Sequence, residues 1–433
     1  MHLPYLLQAS KMASPTQQTH KNYSSRKVSV LTMTVLVMSC YLLCLANMHT
    51  NSINVSDNDI YKDGFEQPTI TANIAAPRWE QEAPPISEQP TITANITIQP
   101  CALLFFGLPR SYKEMVLPSI VRNILIPNAR HQCDIYVHYY HQHAEKAGRG
   151  NRGGAIDPTD ILLLKKAGID VAKDYGGRLP HVEFVNDTEQ SFRKKRGTSL
   201  EKYHNTTDKE GRPLYFPWKA AAFKSAFLKA SLTNIVKQWH SIDSVFTLME
   251  TTSQKLNNVS YTRVGMFRSD VMFLTPIDIA SLDRDNMDVH NRHAVLAPFG
   301  KYPINDRMIY GPLEGVKVWA TKRFKLIEKR VKLHEDPGFE MHSERFLNAT
   351  ILPAIKKLGV SLYTNPDICF LRTRPDKSVL LNDCSGNVGK TRDLGPVKSL
   401  VESIVGTSCH LGGEKEAFLF QFLSCDFGVQ AAS

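Results

Sequence analysis

The feature that most restricts this fold begins abruptly at Cys101, where short runs rich in apolar and aromatic residues alternate with helix-length segments. CALLFF (Cys101 to Phe106) has the length of a strand and leads through Gly107-Leu108-Pro109-Arg110 into a helical segment, Ser111 to Leu125. DIYVHYY (Asp134 to Tyr140) is a second strand and HVEFV (His181 to Val185) a third. Between them Asp157-Pro158 forms an N-cap and first-turn pair, opening a helix that Gly168 is expected to close. Strand, helix, strand, helix, strand predicts a parallel α/β sheet.

Upstream, Val28 to Met48 carries no charged residue, and its 21 residues would rise about 31 Å as a helix, one hydrocarbon core. Lys11, Lys21, Arg26 and Lys27 precede it with no acidic residue. The positive-inside rule leaves the N-terminus cytoplasmic and sends the rest across. The expectation is a type II anchor in the Golgi or endoplasmic reticulum membrane, with the domain lumenal. A cleaved signal peptide is the alternative, opposed by the long preceding region and the lack of an A-x-A site. The chain then divides into a cytoplasmic tail (1–27), a span (28–48), a disordered stem (49–100), a lumenal domain (101–384) and a tail without assigned role (385–433). The stem is polar, rich in Pro and Thr, and repeats EQPTITANI at Glu66 to Ile74 and Glu88 to Ile96.

Sequons at Asn54, Asn95, Asn186, Asn205, Asn258 and Asn348 agree with a secretory lumen. Six cysteines beyond the anchor (Cys101, Cys133, Cys369, Cys384, Cys409, Cys425) permit up to three disulfides there. No pair has zinc-ribbon spacing. Of the net charge of +10, the N-terminal tail holds +4 and the stem −5, which leaves +11 on the remainder. A basic domain beyond a membrane points away from nucleic acid, toward nucleotide-linked donors or anionic glycans.

The central stretch is MFRSDVMF. Val264 to Phe267 reads as a buried strand that ends in Arg268-Ser269-Asp270 before apolar character resumes at Val271. Ligands of α/β proteins gather at the carboxyl ends of such strands. An Asp there holds a divalent cation through oxygen, and a neighbouring Arg grips phosphate as a fork. The same pair also serves as an ion pair closing a strand end. Being at a strand end, Asp270 is expected to be replaceable by alanine with folding nearly intact and turnover abolished.

Two amphipathic helices, Trp218 to Trp239 and a second carrying Ile242, Val245, Phe246 and Met249, lead into that strand. Asn186 to Pro217 reads as an exposed insertion whose Arg193-Lys194-Lys195-Arg196 run is a solvated loop or a processing site. Beyond the central strand come HAVLAPF (His293 to Phe299), Asn305-Asp306-Arg307, and a long helix opened by Pro312. His342-Ser343-Glu344 then precedes a helix ending near Gly359, and CFLRTR (Cys369 to Arg374) is a last core strand. Ser385 to Thr391 imitates a phosphate loop, but Cys384 stands where its first glycine belongs. No G-x-S-x-G, H-E-x-x-H or C-x-x-C occurs, so hydrolase, zincin and thioredoxin chemistries lack support.

In order and spacing, these parts resemble GT-A-type nucleotide-sugar glycosyltransferases, and more narrowly the poorly characterised relatives of bacterial lipopolysaccharide and capsule transferases. The matching pieces are Gly107-Leu108-Pro109-Arg110, Asp134-Ile135-Tyr136-Val137-His138, Arg268-Ser269-Asp270, Asn305-Asp306-Arg307-Met308 and His342-Ser343-Glu344. The resemblance implies a GT-A-like, mostly parallel sheet flanked by helices. It implies transfer of a sugar from a nucleotide diphosphate donor to a glycan or glycoprotein acceptor. Arg110, Arg268 and Asp270 would bind the donor, and Asp270 would ligate Mn2+ or Mg2+. Asp306, preferred, or Glu344 would take the acceptor proton. The family's usual Asp-x-Asp departs here, because Arg268 stands at its first position. A catalytically silent glycan-binding or scaffold protein of the same fold is the alternative. A Golgi sulfotransferase is a further one, although no phosphosulfate loop follows the first strand.

Overall fold

The computed structural model describes residues 100–146, 152–219, 224–256, 259–280, 293–299, 302–333, 339–381, 395–412 and 422–427. The tail, the segment 28–48, the stem before residue 100, the sequons at Asn54, Asn95 and Asn258, and the run Ser385 to Thr391 lie outside them. Among the described residues no helix is long and apolar enough to cross a membrane.

The chain opens with β1 (Cys101–Gly107), a helical run α1 over 112–128, β2 (Asp134–Tyr140) and the two-residue strands β3 (Ala144–Glu145) and β4 (Gly154–Ala155). Next come α2 (Leu163–Asp174), β5 (Val182–Asp187), α3 (Glu189–Asn205) and α4 (Ser225–Lys255). The central strand β6 (Arg263–Arg268) is followed by β7 (Val271–Phe273), β8 (His293–Leu296), β9 (Met308–Pro312), α5 (Leu313–Thr321) and α6 (Arg323–Leu333). A helical run α7 over 343–356 precedes β10 (Ser361–Thr364), β11 (Phe370–Thr373) and β12 (Ser378–Leu380). The last elements are α8 (Gly395–Val405), β13 (Cys409–Gly412) and β14 (Phe422–Cys425).

The main sheet has seven strands in the order β10-β8-β9-β6-β1-β2-β5, and β9 alone among them is reversed. It is the mostly parallel, helix-flanked α/β sheet that the spacing predicts. β1 lies at its heart and is buried along its whole length. Ala102, Leu104 and Phe106 face α4 and α5, sharing a core with Trp239, Phe246 and Trp319. Leu103 and Phe105 face the other way, onto Tyr112, Ile120 and Ile124 of α1. A strand covered on both faces needs an unbroken apolar run, which is why CALLFF shows no polar alternation.

A second, antiparallel sheet of five strands runs β13-β14-β12-β11-β7. Only Ser269 and Asp270 separate β6 in the first sheet from β7 in the second. The Arg-Ser-Asp step is therefore the crossover between two sheets.

Several expectations change. Gly168 does not close α2, which runs on to Asp174; a side chain there would press within 2.7 Å of Ile135 Cδ1, so the glycine serves close helix-to-strand packing. The insertion after Asn186 is not a loop. It is largely α3, capped reciprocally by Thr188 and Ser191, and buries Phe192, Leu200 and Tyr203. Its tetrabasic run is tied into the fold, with Arg193 on Glu189, Lys195 on Asp187 and Arg196 on Asp243. Ser225 to Lys255 is one helix of 31 residues rather than two. Conversely, the long helix after Pro312 breaks at Lys322 into α5 and α6. CFLRTR is not the last core strand, since β12, β13 and β14 join its sheet.

Disulfides join Cys101 to Cys133 and Cys409 to Cys425, and Cys369 is also disulfide-bonded. The described sequon asparagines, Asn186, Asn205 and Asn348, are all exposed.

Candidate functional site

Topology gathers the site. β1 and β6 run parallel and end together, and the Ser269 N–H donates to the Phe106 carbonyl at 2.8 Å. Because β9 is reversed, its start lies beside the end of β6, pairing Phe267 with Met308. Asp306 therefore stands just before a strand, and so reaches the carboxyl edge. β11 pairs with β7 so that Arg372 opposes Val271, and the Thr373 N–H donates to the Asp270 carbonyl at 2.9 Å. The Thr373 hydroxyl donates to the Arg110 carbonyl at 2.9 Å. Gly107, at φ +115°, takes a turn that other residues rarely adopt, and Leu108-Pro109 then carries Arg110 across to Asp270.

All five residues singled out in the sequence lie on one chain of alternating charge. Asp270, 1% exposed, accepts at Oδ2 from Arg268 Nη2 at 2.8 Å, while Arg268 Nε stands 2.5 Å from Oδ1 as an ion pair outside hydrogen-bond geometry. Arg110 Nη1 donates to the same Oδ2. The rest of the Arg110 fork grips Glu145 at 2.5 and 2.6 Å. Arg268 Nη1 lies 4.0 Å from Asp306 Oδ1, and Arg307 Nη1 lies 3.4 Å from it. The Arg307 guanidinium also stands 3.6 Å from Glu344, whose other oxygen is 3.5 Å from His342 Nδ1.

The electrostatics separate the two candidate bases. Burial opposes ionisation of Asp306, but the charges of Arg307, Arg268 and Arg323 override it and hold the carboxyl below its ordinary range. Glu344 goes the other way, pushed up by burial and by the Asp306 charge. Two carboxyls whose environments drive them apart divide naturally into a fixed anion and a proton acceptor. Of the two, Glu344 is the carboxyl whose surroundings favour keeping a proton, whereas the sequence alone preferred Asp306 as the base. For Asp270, burial is outweighed by Arg268 and Arg110, which hold it ionised.

A divalent cation does not fit at Asp270. Both carboxylate oxygens are engaged by guanidinium groups, and Arg374 adds a further positive charge. A cation there would displace these arginines and face their repulsion. A second group of metal-ligand type, His138 within β2, Asp187 at the end of β5 and His240 on α4, is buried. His138 and His240 place Nε2 at 3.1 and 2.7 Å from one oxygen of Asp187. Arg196 Nε, which can only donate, is 3.1 Å from His240 Nδ1, so Nε2 of that ring carries the proton given to Asp187. Ser191 and Lys195 bind the other oxygen. Burial lowers both histidines, His240 to about 4, so both rings are neutral donors. This cluster is a satisfied hydrogen-bond network, and it fits no metal either.

Sequence reasoning missed Glu145, Arg307 and Arg374 as parts of the site. Arg307 and Arg374 stood inside motifs already noted, Asn305-Asp306-Arg307 and CFLRTR. Glu145 follows β2 in a two-residue strand with no pattern to reveal it.

No family model matches this chain, and no curated protein matches it. Among solved structures it is similar to the apo form of mouse xyloside xylosyltransferase 1, at 10% identity and a TM-score of 0.27, over 62% of this chain and 85% of that one. At that identity and score the likeness bears on neither substrate nor mechanism. The class defined by fold and site is a mixed α/β protein with an arginine–carboxylate cluster at the carboxyl edge of its parallel strands.

Proposed function

We propose that this protein is a GT-A-type glycosyltransferase, moving a sugar from a nucleoside diphosphate to a hydroxyl of a glycan or glycoprotein. One observation carries the reading: Arg110, Arg268, Asp270, Asp306 and Glu344, distant in sequence, converge where β6 crosses from one sheet into the other. In α/β folds that edge is where ligands bind. In the proposed reaction the bond from the anomeric carbon to the diphosphate breaks and a bond to the acceptor oxygen forms. Arg110 and Arg268 stabilise the charge that develops on the leaving diphosphate. Glu344 takes the acceptor proton, its affinity for protons raised by burial and by ionised Asp306. Disulfides and exposed sequon asparagines support a secretory compartment, and segment 28–48 supplies the proposed type II anchor.

The second reading, a catalytically silent glycan-binding protein, is favoured by the mutual neutralisation of Asp270 with Arg268 and Arg110. Release of nucleoside diphosphate from a panel of nucleotide sugars, with and without glycan acceptors, separates the two. Release by the wild-type chain that is lost in Glu344→Gln supports the transferase. Donor binding without release in any combination supports the silent binder.

A further inference from the structure

The metal misfit at Asp270 has a counterpart at the end of the neighbouring strand. Arg374 follows β11, and its backbone is fixed from both sides. Its carbonyl accepts from the Ser111 hydroxyl at 2.6 Å, and its N–H donates to the Ser378 carbonyl at 2.8 Å. Its Nε–H is buried and meets no acceptor among the described residues. Guanidinium N–H groups can only donate and do not shed their charge near neutral pH, so a buried one without an acceptor favours an anion. The neighbouring charges agree. Among the described residues, Arg110, Arg268 and Arg374 share Asp270 and Glu145, while Asp306, 4.0 Å from Arg268, lies closer to Arg307. Burial first, then the charges of Arg372 and Arg110, bring Arg374 down to about 10.

We infer, building on the transferase reading, that this site takes the donor's diphosphate on arginines without a divalent cation. Asp270 acts as a positioning residue that holds the Arg110 and Arg268 forks, and Arg374 is a further phosphate contact. A fork held by a carboxylate on one side still presents N–H groups on the other, so the anion adds to the network instead of dismantling it.

The test is calorimetric titration of the full chain with inorganic pyrophosphate, the group common to every donor of this type, in EDTA and in manganese. Affinity should agree within about twofold between the two conditions and fall about tenfold or more in Arg374→Gln. The Arg374→Gln protein should keep its urea midpoint, because the change breaks no close ion pair and relieves repulsion from Arg372 and Arg110 while giving up weaker attraction to Asp270 and Glu145. Asp270→Asn should weaken pyrophosphate binding equally in EDTA and in manganese, because the two forks lose the carboxylate that positions them; a loss seen only in manganese would mark Asp270 as a metal ligand and overturn the inference. Binding that requires manganese and vanishes in EDTA would overturn the inference and leave the transferase reading standing. Unchanged affinity in Arg374→Gln would remove that residue from the site. No binding in either condition would overturn both readings together.

Discussion

Replacing Asp270 with alanine tests the charge network most sharply, because sequence and structure disagree about the result. A carboxylate at a strand end is expected to be dispensable for folding. The structure instead buries Asp270 at 1% exposure between Arg268 and Arg110. Breaking a buried pair by removing one partner costs about 3–5 kcal/mol, since the other charge is left uncompensated. Arg110 keeps Glu145, whereas Arg268 keeps only Asp306 at 4.0 Å, so the loss should fall near the lower end, about 3 kcal/mol. A domain of ordinary stability, about 5–15 kcal/mol, would remain folded. Urea unfolding of wild type and Asp270→Ala at neutral pH measures the difference, and added pyrophosphate should recover part of it by occupying the vacated arginines. A loss below about 1 kcal/mol, the size of an exposed salt bridge, would refute the reasoning.

Glu344→Gln should reduce transfer about a hundredfold or more with donor binding preserved, and wild-type activity should rise with pH above the ordinary carboxylate range, as a pH–rate profile would show. The stability sign for Glu344 is that of a raised acid: its contribution is present below the ordinary Glu range and is lost as pH rises through the folded value, so Glu344→Gln should unfold no more easily than wild type in alkaline urea melts. His240, lowered to about 4 by burial, has the opposite dependence. The unfolded chain takes up its proton first, so stability falls as pH drops from about 6.5 toward about 4, at up to about 1.4 kcal/mol per unit, in acid melts that Asp187→Asn should alter.

The strands of the main sheet were legible because burial on both faces leaves a continuous apolar run, as in CALLFF. The central Arg-Ser-Asp step was legible for a related reason, since charge interrupting such a run has to lie at its end. What could not be read was the change of sheet at Asp270. Val271 to Phe273 looks like more of the same strand, and only its pairing with Phe370 to Arg372 assigns it to the second sheet. α3 escaped because its few buried residues, Phe192, Leu200 and Tyr203, are spread over a lysine- and arginine-rich helix containing Gly197. Asp306 and Glu344 were both singled out as candidates, but their relative acidity depends on neighbours that spacing cannot supply, chiefly Arg307 and Arg323 around Asp306. Arg374 was passed over because, in sequence, it is simply the end of a strand.

A nucleotide-sugar site at the edge where β6 leaves the main sheet would show itself in the thermal and urea stability of the full chain against a panel of nucleotide sugars in EDTA. At least one donor should stabilise the protein, by about 2.7 kcal/mol at a hundred times its dissociation constant. That gain should shrink in Arg268→Lys, which loses the planar phosphate fork. A chain whose stability is unmoved by every nucleotide sugar and nucleoside diphosphate would contradict such a site.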